Sequence, residues 1–151
     1  TLNGRWQEIE VQPHELLLDV VRERLGLTGA KRSCDGQVCG ACTLLVDGRP
    51  VSACTTLAFE VRDRSVLTIE GLAENGKLHP LQQAFIEHGG FQCGFCTPGM
   101  ILAAKALLDE NPDPSEAELK HFMHGNICRC TGYKKIIESI MAAAKTMRAG
   151  R

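Results

Sequence analysis

The feature that most constrains this chain is a group of cysteines with a fixed spacing. The group consists of Cys34, Cys39, Cys42 and Cys54 and reads C-x4-C-x2-C-x11-C. The loop also contains Gly36 and Gly40, and glycine lets a backbone curl tightly and approach a bound group closely because it lacks a Cβ atom. This spacing is typical of a plant-type [2Fe-2S] loop, in which four thiolates converge on two irons.

A predicted hairpin returns the fourth cysteine to the loop. Residues 43–46 and 49–53 are strand-like and are joined by Asp47-Gly48, a strong signal for a two-residue hairpin turn. If Val46 pairs with Arg49, Cys42 lies beside Ala53 at the open end of the hairpin. Cys54 then follows directly and completes the set.

Three other uses of these cysteines compete with a cluster. A zinc site favours two C-x2-C-like pairs, and this set contains only one. A disulfide framework implies a secreted protein, and nothing in the sequence resembles one. Buried structural cysteines have no reason to adopt this spacing, so the cluster is the preferred interpretation.

Charge and hydropathy exclude several classes of function. The chain has 151 residues, a net charge of −1 and a pI near 6.5, which argues against nucleic acid or an anionic membrane as partner. Its apolar runs are too short to predict a membrane span. No secretion leader is visible, so the sequence predicts a cytoplasmic protein. Since the chain begins at Thr1 rather than Met, a trimmed leader and a periplasmic location stay open.

The N-terminal half reads as strands around one helix. An Asn3-Gly4 turn and the alternation of residues 6–11 predict a β-hairpin. Apolar residues at helical spacing predict an amphipathic helix over residues 15–25, and residues 66–69 predict a last strand. Hairpin, helix, cysteine loop, hairpin and strand is the order of a β-grasp, plant-type ferredoxin-like fold, which we assign to residues 1–74.

The second half, residues 75–151, predicts an all-α four-helix bundle, which makes the chain α+β. Its first helix begins after His79 at Pro80 and ends at Gly89-Gly90, and its second runs over residues 98–109 with Thr97 as N-cap. A Ser115-x-x-Glu118 capping box opens the third. Thr131 is the expected cap of the fourth, which ends near residue 147. Its predicted buried stripe is Ile136, Ile137, Ile140, Met141 and Ala144.

A second cysteine set lies before two of these helices. Cys93 and Cys96 precede the second helix, and Cys128 and Cys130 precede the fourth. Free N–H groups and the positive end of the helix dipole favour anionic sulfur at such positions. If the two helix starts face each other, four thiolates converge. Zinc and a second iron–sulfur cluster both remain open for this set on the residues alone.

Two strings in the second half carry a family resemblance. They are Gln92-Cys93-Gly94-Phe95-Cys96-Thr97-Pro98-Gly99-Met100 and Cys128-Arg129-Cys130-Thr131-Gly132-Tyr133. They resemble the signature of the xanthine oxidase family. More narrowly, the chain is similar to the separate small [2Fe-2S] subunit of bacterial three-subunit molybdenum hydroxylases, such as carbon monoxide dehydrogenase, quinoline oxidoreductase and 4-hydroxybenzoyl-CoA reductase. The match covers nearly the whole chain and all eight cysteines.

The resemblance implies cofactors, partners and a route for electrons. It implies one [2Fe-2S] cluster on each cysteine set, with the second near a molybdopterin, a cytosine dinucleotide, in a large subunit. It places the first near FAD in a medium subunit, within a dimer of heterotrimers. It also implies that Gln92 and Cys130 approach the pterin, and that this subunit carries no catalytic residues.

Two other functions compete with that of an electron-transfer subunit. The first is a free-standing ferredoxin-like electron shuttle, and the second is a zinc-stabilised binding module. Iron and sulfide analysis separates the zinc module from the others, and co-purification separates a permanent subunit from a shuttle. The sequence does not name the substrate, because the resemblance places the substrate pocket on another chain.

Overall fold

The structure combines a small sheet with several helices. The computed structural model describes residues 1–150, so Arg151, the last residue of the predicted second domain, lies outside the described residues. The strands are β1 at Thr43–Val46, β2 at Arg49–Ser52 and β3 at Val66–Leu67. The α-helices are α1 at Leu17–Asp19, α2 at Pro80–His88, α3 at Thr97–Glu110, α4 at Glu116–Phe122 and α5 at Lys134–Ala149. Short 3₁₀ turns occupy Ala58–Val61, Ile69–Gly71 and Met123–Gly125.

The predicted hairpin beside the cysteine loop is confirmed. Strand β1 pairs antiparallel with β2, and Val46 lies opposite Arg49 as expected. Asp47 and Gly48 have φ angles of 49° and 78°, which suit the tight turn that matches strand twist. The strand order is β2-β1-β3, so β2 is an edge strand, where the missing N–H of Pro50 is tolerated.

The prediction of a strand over residues 6–11 is wrong. The Asn3-Gly4 turn forms, and Leu2 bridges Arg5 across it, but residues 6–12 are not part of a strand. Leu2 instead makes a parallel bridge to Val66. Since β3 is only two residues long, it offers too little edge for a longer strand to pair with.

The predicted first helix forms, but most of it is not α-helical. Only α1 has α geometry, and Val20–Arg24 continues it as a π-helical turn. The N–H of Leu25 accordingly donates to the carbonyl of Val20, five residues back, at 3.1 Å. Gly26 follows with a φ of +69° and ends the segment.

The second half forms the four predicted helices, and α3 lies at the centre of the structure. Leu102 and Ala106 pack with the buried residues around the sheet, whereas Met100 and Leu108 pack with those around the helices. Nine residues of α3 are buried, and they face both the sheet and the other helices. This helix therefore joins the two halves. The predicted stripe of α5 is buried, apart from the half-buried Met141. Within residues 1–150, no helix is both long and apolar enough to cross a membrane.

Candidate metal centres

The hairpin brings the first cysteine set together as two pairs. The Cys34 and Cys39 thiols are neighbours in the loop, close enough for Cys39 to help lower the pKa of Cys34. The Cys42 and Cys54 thiols form a second such pair, at the end of the hairpin. Cys42 and Cys54 are buried, whereas Cys34 is exposed. The set therefore presents two thiol pairs at the boundary between the core and the surface.

Backbone N–H groups stabilise the thiolate form of Cys34, the exposed cysteine of this set. The N–H groups of Gly36, Val38 and Cys39 each lie 3.4 Å from Cys34 Sγ. The N–H of Gly36, followed by those of Cys39 and Val38, lowers the pKa of Cys34 to about 6. Hydrogen bonds to the charged form favour it, so this sulfur is ready to bind a metal as a thiolate.

The two predicted glycines of the loop differ in importance. Gly40 has a φ of +69°, and a Cβ there would collide with its neighbours. Gly36 has no positive φ, and a Cβ there would meet only ordinary contacts. Asp35 and Gln37 instead take the left-handed conformation, with φ angles of 51° and 60°. The prediction that both glycines are conformationally required therefore holds for Gly40 alone.

The second cysteine set is also assembled from two pairs. Cys130 Sγ lies 3.6 Å from Cys93 Sγ, and the Cys96 thiol is close enough to Cys128 for the two to affect each other's pKa. Burial, together with the neighbouring Cys128, raises the pKa of Cys96 to about 12. Cys93 and Cys130 are exposed, so one pair of this set faces outward.

Thr131 has a role that the sequence analysis missed. It was expected to cap α5, but the N-cap is Tyr133 in a left-handed conformation. The Thr131 N–H and hydroxyl instead donate to Cys128 Sγ at 3.4 and 3.1 Å. Burial acts to raise the pKa of Cys128, but the hydrogen bonds from Thr131, from the Cys130 backbone and from Cys96 together outweigh it and lower that pKa. The C-x-C-T string was the available signal for this contact.

The prediction that Thr97 caps α3 is also wrong. Cys96 is the N-cap, and Thr97 is the first residue of the helix. The Thr97 hydroxyl oxygen is buried, and it has no hydrogen-bond partner within residues 1–150. Buried polar atoms normally have partners. An orphaned donor next to Cys96 fits a bound group that supplies sulfur acceptors at this position.

The pairing of the thiols fits two-iron clusters. A [2Fe-2S] cluster would be held by four cysteine thiolates. The eight cysteines form four close pairs. In residues 1–150, no group of three or more His, Cys, Asp or Glu side chains is placed to hold a single metal ion. Each set supplies four neighbouring thiols, the number that a [2Fe-2S] cluster needs, so the residues present fit one cluster on each set.

The charges beside the loop are largely compensated. Arg32 forms salt bridges with Asp19 and with Asp35, the latter at 2.6 Å. The hydrogen bond to Asp19 is the main reason why the pKa of Arg32 is raised. The positive field of Arg32 at the first cysteine set is consequently offset by two carboxylates.

The surface around the second set carries several exposed apolar side chains. Phe91, Phe95, Ile127 and Tyr133 are large side chains that are each more than 40% exposed, and each lies within three positions of a cysteine of this set. Gln92 and Cys130, the two residues expected to contact a pterin, are exposed as well. Because Cys93 Sγ and Cys130 Sγ are 3.6 Å apart, the loops that carry Gln92 and Cys130 lie together on the surface.

Comparisons with known proteins cover both halves of the chain. Residues 1–78 match the family described as "2Fe-2S iron-sulfur cluster binding domain", and residues 68–141 match the family described as "[2Fe-2S] binding domain". The chain is 50% identical over 144 residues to the nicotinate dehydrogenase small FeS subunit of Eubacterium barkeri. That alignment covers 95% of this chain and 92% of the relative.

Two further comparisons concern an oxidoreductase of solved structure and a longer protein. The structure matches a chain of quinoline 2-oxidoreductase from Pseudomonas putida 86 with a TM-score of 0.95 and 47% identity, covering 99% of this chain and 94% of that one. The aldehyde oxidoreductase of Megalodesulfovibrio gigas is 48% identical over 147 residues, which are 95% of this chain but only 16% of that protein.

Proposed function

The chain belongs to the family of small iron–sulfur subunits of xanthine oxidase family hydroxylases, and on that premise we propose that it relays single electrons between a molybdopterin site and FAD. As such a subunit it is part of an oxidoreductase, and binding of [2Fe-2S] clusters implies electron transfer. The observation that carries the proposal is the assembly of eight cysteines into two sets of paired thiols.

The ligands of the proposed clusters are divided between the two halves of the chain. Cys34, Cys39, Cys42 and Cys54 hold the first, in a β-grasp domain of residues 1–74. Cys93, Cys96, Cys128 and Cys130 hold the second, in a helical bundle of residues 75–151. A bound [2Fe-2S] cluster changes its oxidation state by one electron. The chain supplies thiolates, backbone and hydroxyl donors to sulfur, and a fixed arrangement of both sets.

The proposed partners are a large molybdenum-binding subunit and a medium FAD-binding subunit, in a dimer of heterotrimers. The large subunit is proposed to carry molybdopterin cytosine dinucleotide, which Gln92 and Cys130 contact, and substrate conversion is assigned to it. The exposed apolar side chains beside the second set support a permanent partner there, since such patches mark interfaces. In the longer aldehyde oxidoreductase, the segment that matches this chain belongs to a larger polypeptide, which also favours a permanent partner over a shuttle.

Metal analysis of the purified complex tests the proposal directly. We expect about four irons and about four acid-labile sulfides per small subunit, because each four-cysteine set fits one two-iron cluster. Electron paramagnetic resonance of the reduced protein should show two distinguishable signals, since one set lies in a curled loop and the other at helix starts. Stoichiometric zinc, or only two irons, would contradict the two-cluster assignment. A tag on the small subunit should also recover molybdenum and flavin, which a free shuttle would not.

A substitution at Thr131 tests how the chain tunes the second cluster. In Thr131→Val, the hydroxyl donor to Cys128 Sγ is lost, so the more negative reduced cluster is less stabilised and its potential should fall. The expected decrease is on the order of 40 mV, since a hydrogen bond is worth about 1 kcal/mol and 59 mV is a tenfold change for one electron. Redox titration followed by paramagnetic resonance measures it. Thr131→Ser keeps the hydroxyl and should stay at the wild-type potential, and a wild-type potential in both variants would refute this role.

A further inference from the structure

The two cysteine loops contact each other through the backbone. The N–H of Ile127 donates to the carbonyl of Cys39 at 2.8 Å. Ile127 immediately precedes Cys128, a member of the second set. Cys39 and Cys128 are thus connected by a continuous route of covalent bonds with a single hydrogen bond in it, although the two residues are distant in the sequence.

A buried amide reinforces this contact. Asn126 is only 8% exposed, and its Nδ2 lies 3.2 Å from the carbonyl oxygen of Gly40 and 3.4 Å from Thr43 Oγ1. The Thr43 hydroxyl donates to the same carbonyl at 2.7 Å. A buried amide that donates hydrogen bonds to both the Gly40 carbonyl and the Thr43 hydroxyl is held in a fixed position. Asn126 therefore links the segment that leads into Cys128 to the turn between Cys39 and Cys42.

Two glycines allow the loops to come this close. A Cβ atom at Gly99 would lie 2.2 Å from the Gly40 carbonyl oxygen, and a Cβ atom at Gly40 would lie 2.4 Å from Asn126 Nδ2. Both distances are far below van der Waals contact. Because the opposing atom at Gly99 is backbone, a side chain there would force the first loop away from the start of α3, where Cys96 is the N-cap.

We propose that Asn126, Gly40 and Gly99 form an inter-loop bridge that sets the distance between the two cysteine sets and keeps the Cys39–Ile127 hydrogen bond as the connection between them. The inference rests on the proposed function, because it concerns the relative placement of the two proposed clusters. Electron tunnelling falls steeply with distance. Asn126 and Gly99 are thus positioning residues for the transfer of one electron, in which the cluster that gives the electron would be oxidised and the cluster that accepts it would be reduced.

The test compares three variants of the intact complex. Asn126→Ala removes the buried amide, and Gly99→Ala inserts a methyl group against the Gly40 carbonyl. Gly125→Ala is the matched control, because it lies next to Asn126 and a Cβ there meets nothing within 4 Å. The primary measurement is the magnetic interaction between the two reduced clusters by paramagnetic resonance, which depends on their separation and requires no turnover. The second is the rate at which substrate reduces flavin in rapid mixing.

We expect Asn126→Ala and Gly99→Ala to keep both clusters but to weaken the magnetic interaction and slow flavin reduction, with Gly125→Ala unchanged. Wild-type values in Asn126→Ala would overturn the bridge, as would a wild-type complex without measurable interaction between two clusters. If Gly99→Ala fails to assemble, Asn126→Ala alone decides. A wild-type complex that lacks iron would refute the proposed function itself, and the metal assay reports that separately.

Discussion

Replacing Cys39 with serine should remove the cluster of the first set and leave the second in place. Cys39 forms a thiol pair with Cys34, and a hydroxyl oxygen is a harder, poorer ligand than thiolate for an iron–sulfur cluster. The second set has its own four thiols, so its cluster should remain. Iron content should fall from about four to about two per small subunit, because each set accounts for one two-iron cluster.

In Cys39→Ser, we expect electron transfer to fail at the proposed step between the second cluster and flavin. Substrate should still reduce molybdenum and the second cluster, whereas flavin should stay oxidised in rapid-mixing experiments. Ser33→Ala is a suitable control, since Ser33 is exposed and close to Cys34 but contributes no thiol. The backbone groups of residue 39, which contact Cys34 Sγ and Ile127, are retained in the serine variant. Flavin reduction at the wild-type rate in Cys39→Ser would contradict the proposed relay.

Substitution of Cys130 should have a second large effect, at the opposite end of the route. Its sulfur lies 3.6 Å from Cys93 Sγ, and both residues are exposed. Cys130→Ser should therefore damage the second cluster and the proposed pterin contact together. We expect loss of the corresponding paramagnetic signal and little reduction of the remaining cluster by substrate.

The milder variant Gln92→Ala separates these two roles of the region. No thiol is lost, so both clusters should remain, but a polar group of the pterin would lose its partner. Leaving such a buried group unpaired costs about 1–3 kcal/mol, so molybdenum retention or the rate of cluster reduction should fall. Gln83→Ala is the control, because Gln83 is exposed on α2 and its side chain donates only to Glu87 within the described residues. Wild-type molybdenum content and cluster reduction in Gln92→Ala would return Gln92 to the status of an ordinary loop residue.

Predictions that rest on short-range patterns agree well with the structure. The Asp47-Gly48 turn set the register of its hairpin, and Ser115 and Glu118 form the expected reciprocal cap of α4. In both cases the interacting groups are within a few residues of each other, so the local sequence contains the whole interaction. The alternation of residues 6–11 failed because a strand also needs a neighbouring edge, which this sheet does not offer.

The two threonines show why helix caps beside a ligand are harder to predict. Thr97 and Thr131 both have the residue type of an N-cap, yet neither caps its helix. Thr131 donates to Cys128 Sγ instead, because the buried sulfur is a competing acceptor that propensity rules do not consider. The π-helical turn at Val20–Arg24 was missed for a different reason, since its apolar spacing also suits an α-helix.

The sequence by itself determined which thiols belong together, because each set is defined by spacing and by elements that directly flank it. Only the tertiary structure decided how the two sets lie relative to each other. That arrangement depends on α3, which packs against the sheet with Leu102 and Ala106 and against the helices with Met100 and Leu108. This packing brings Asn126 onto Gly40, residues that no local pattern relates. The same packing brings Gly99 against the Gly40 carbonyl, where a Cβ atom would lie only 2.2 Å from the oxygen.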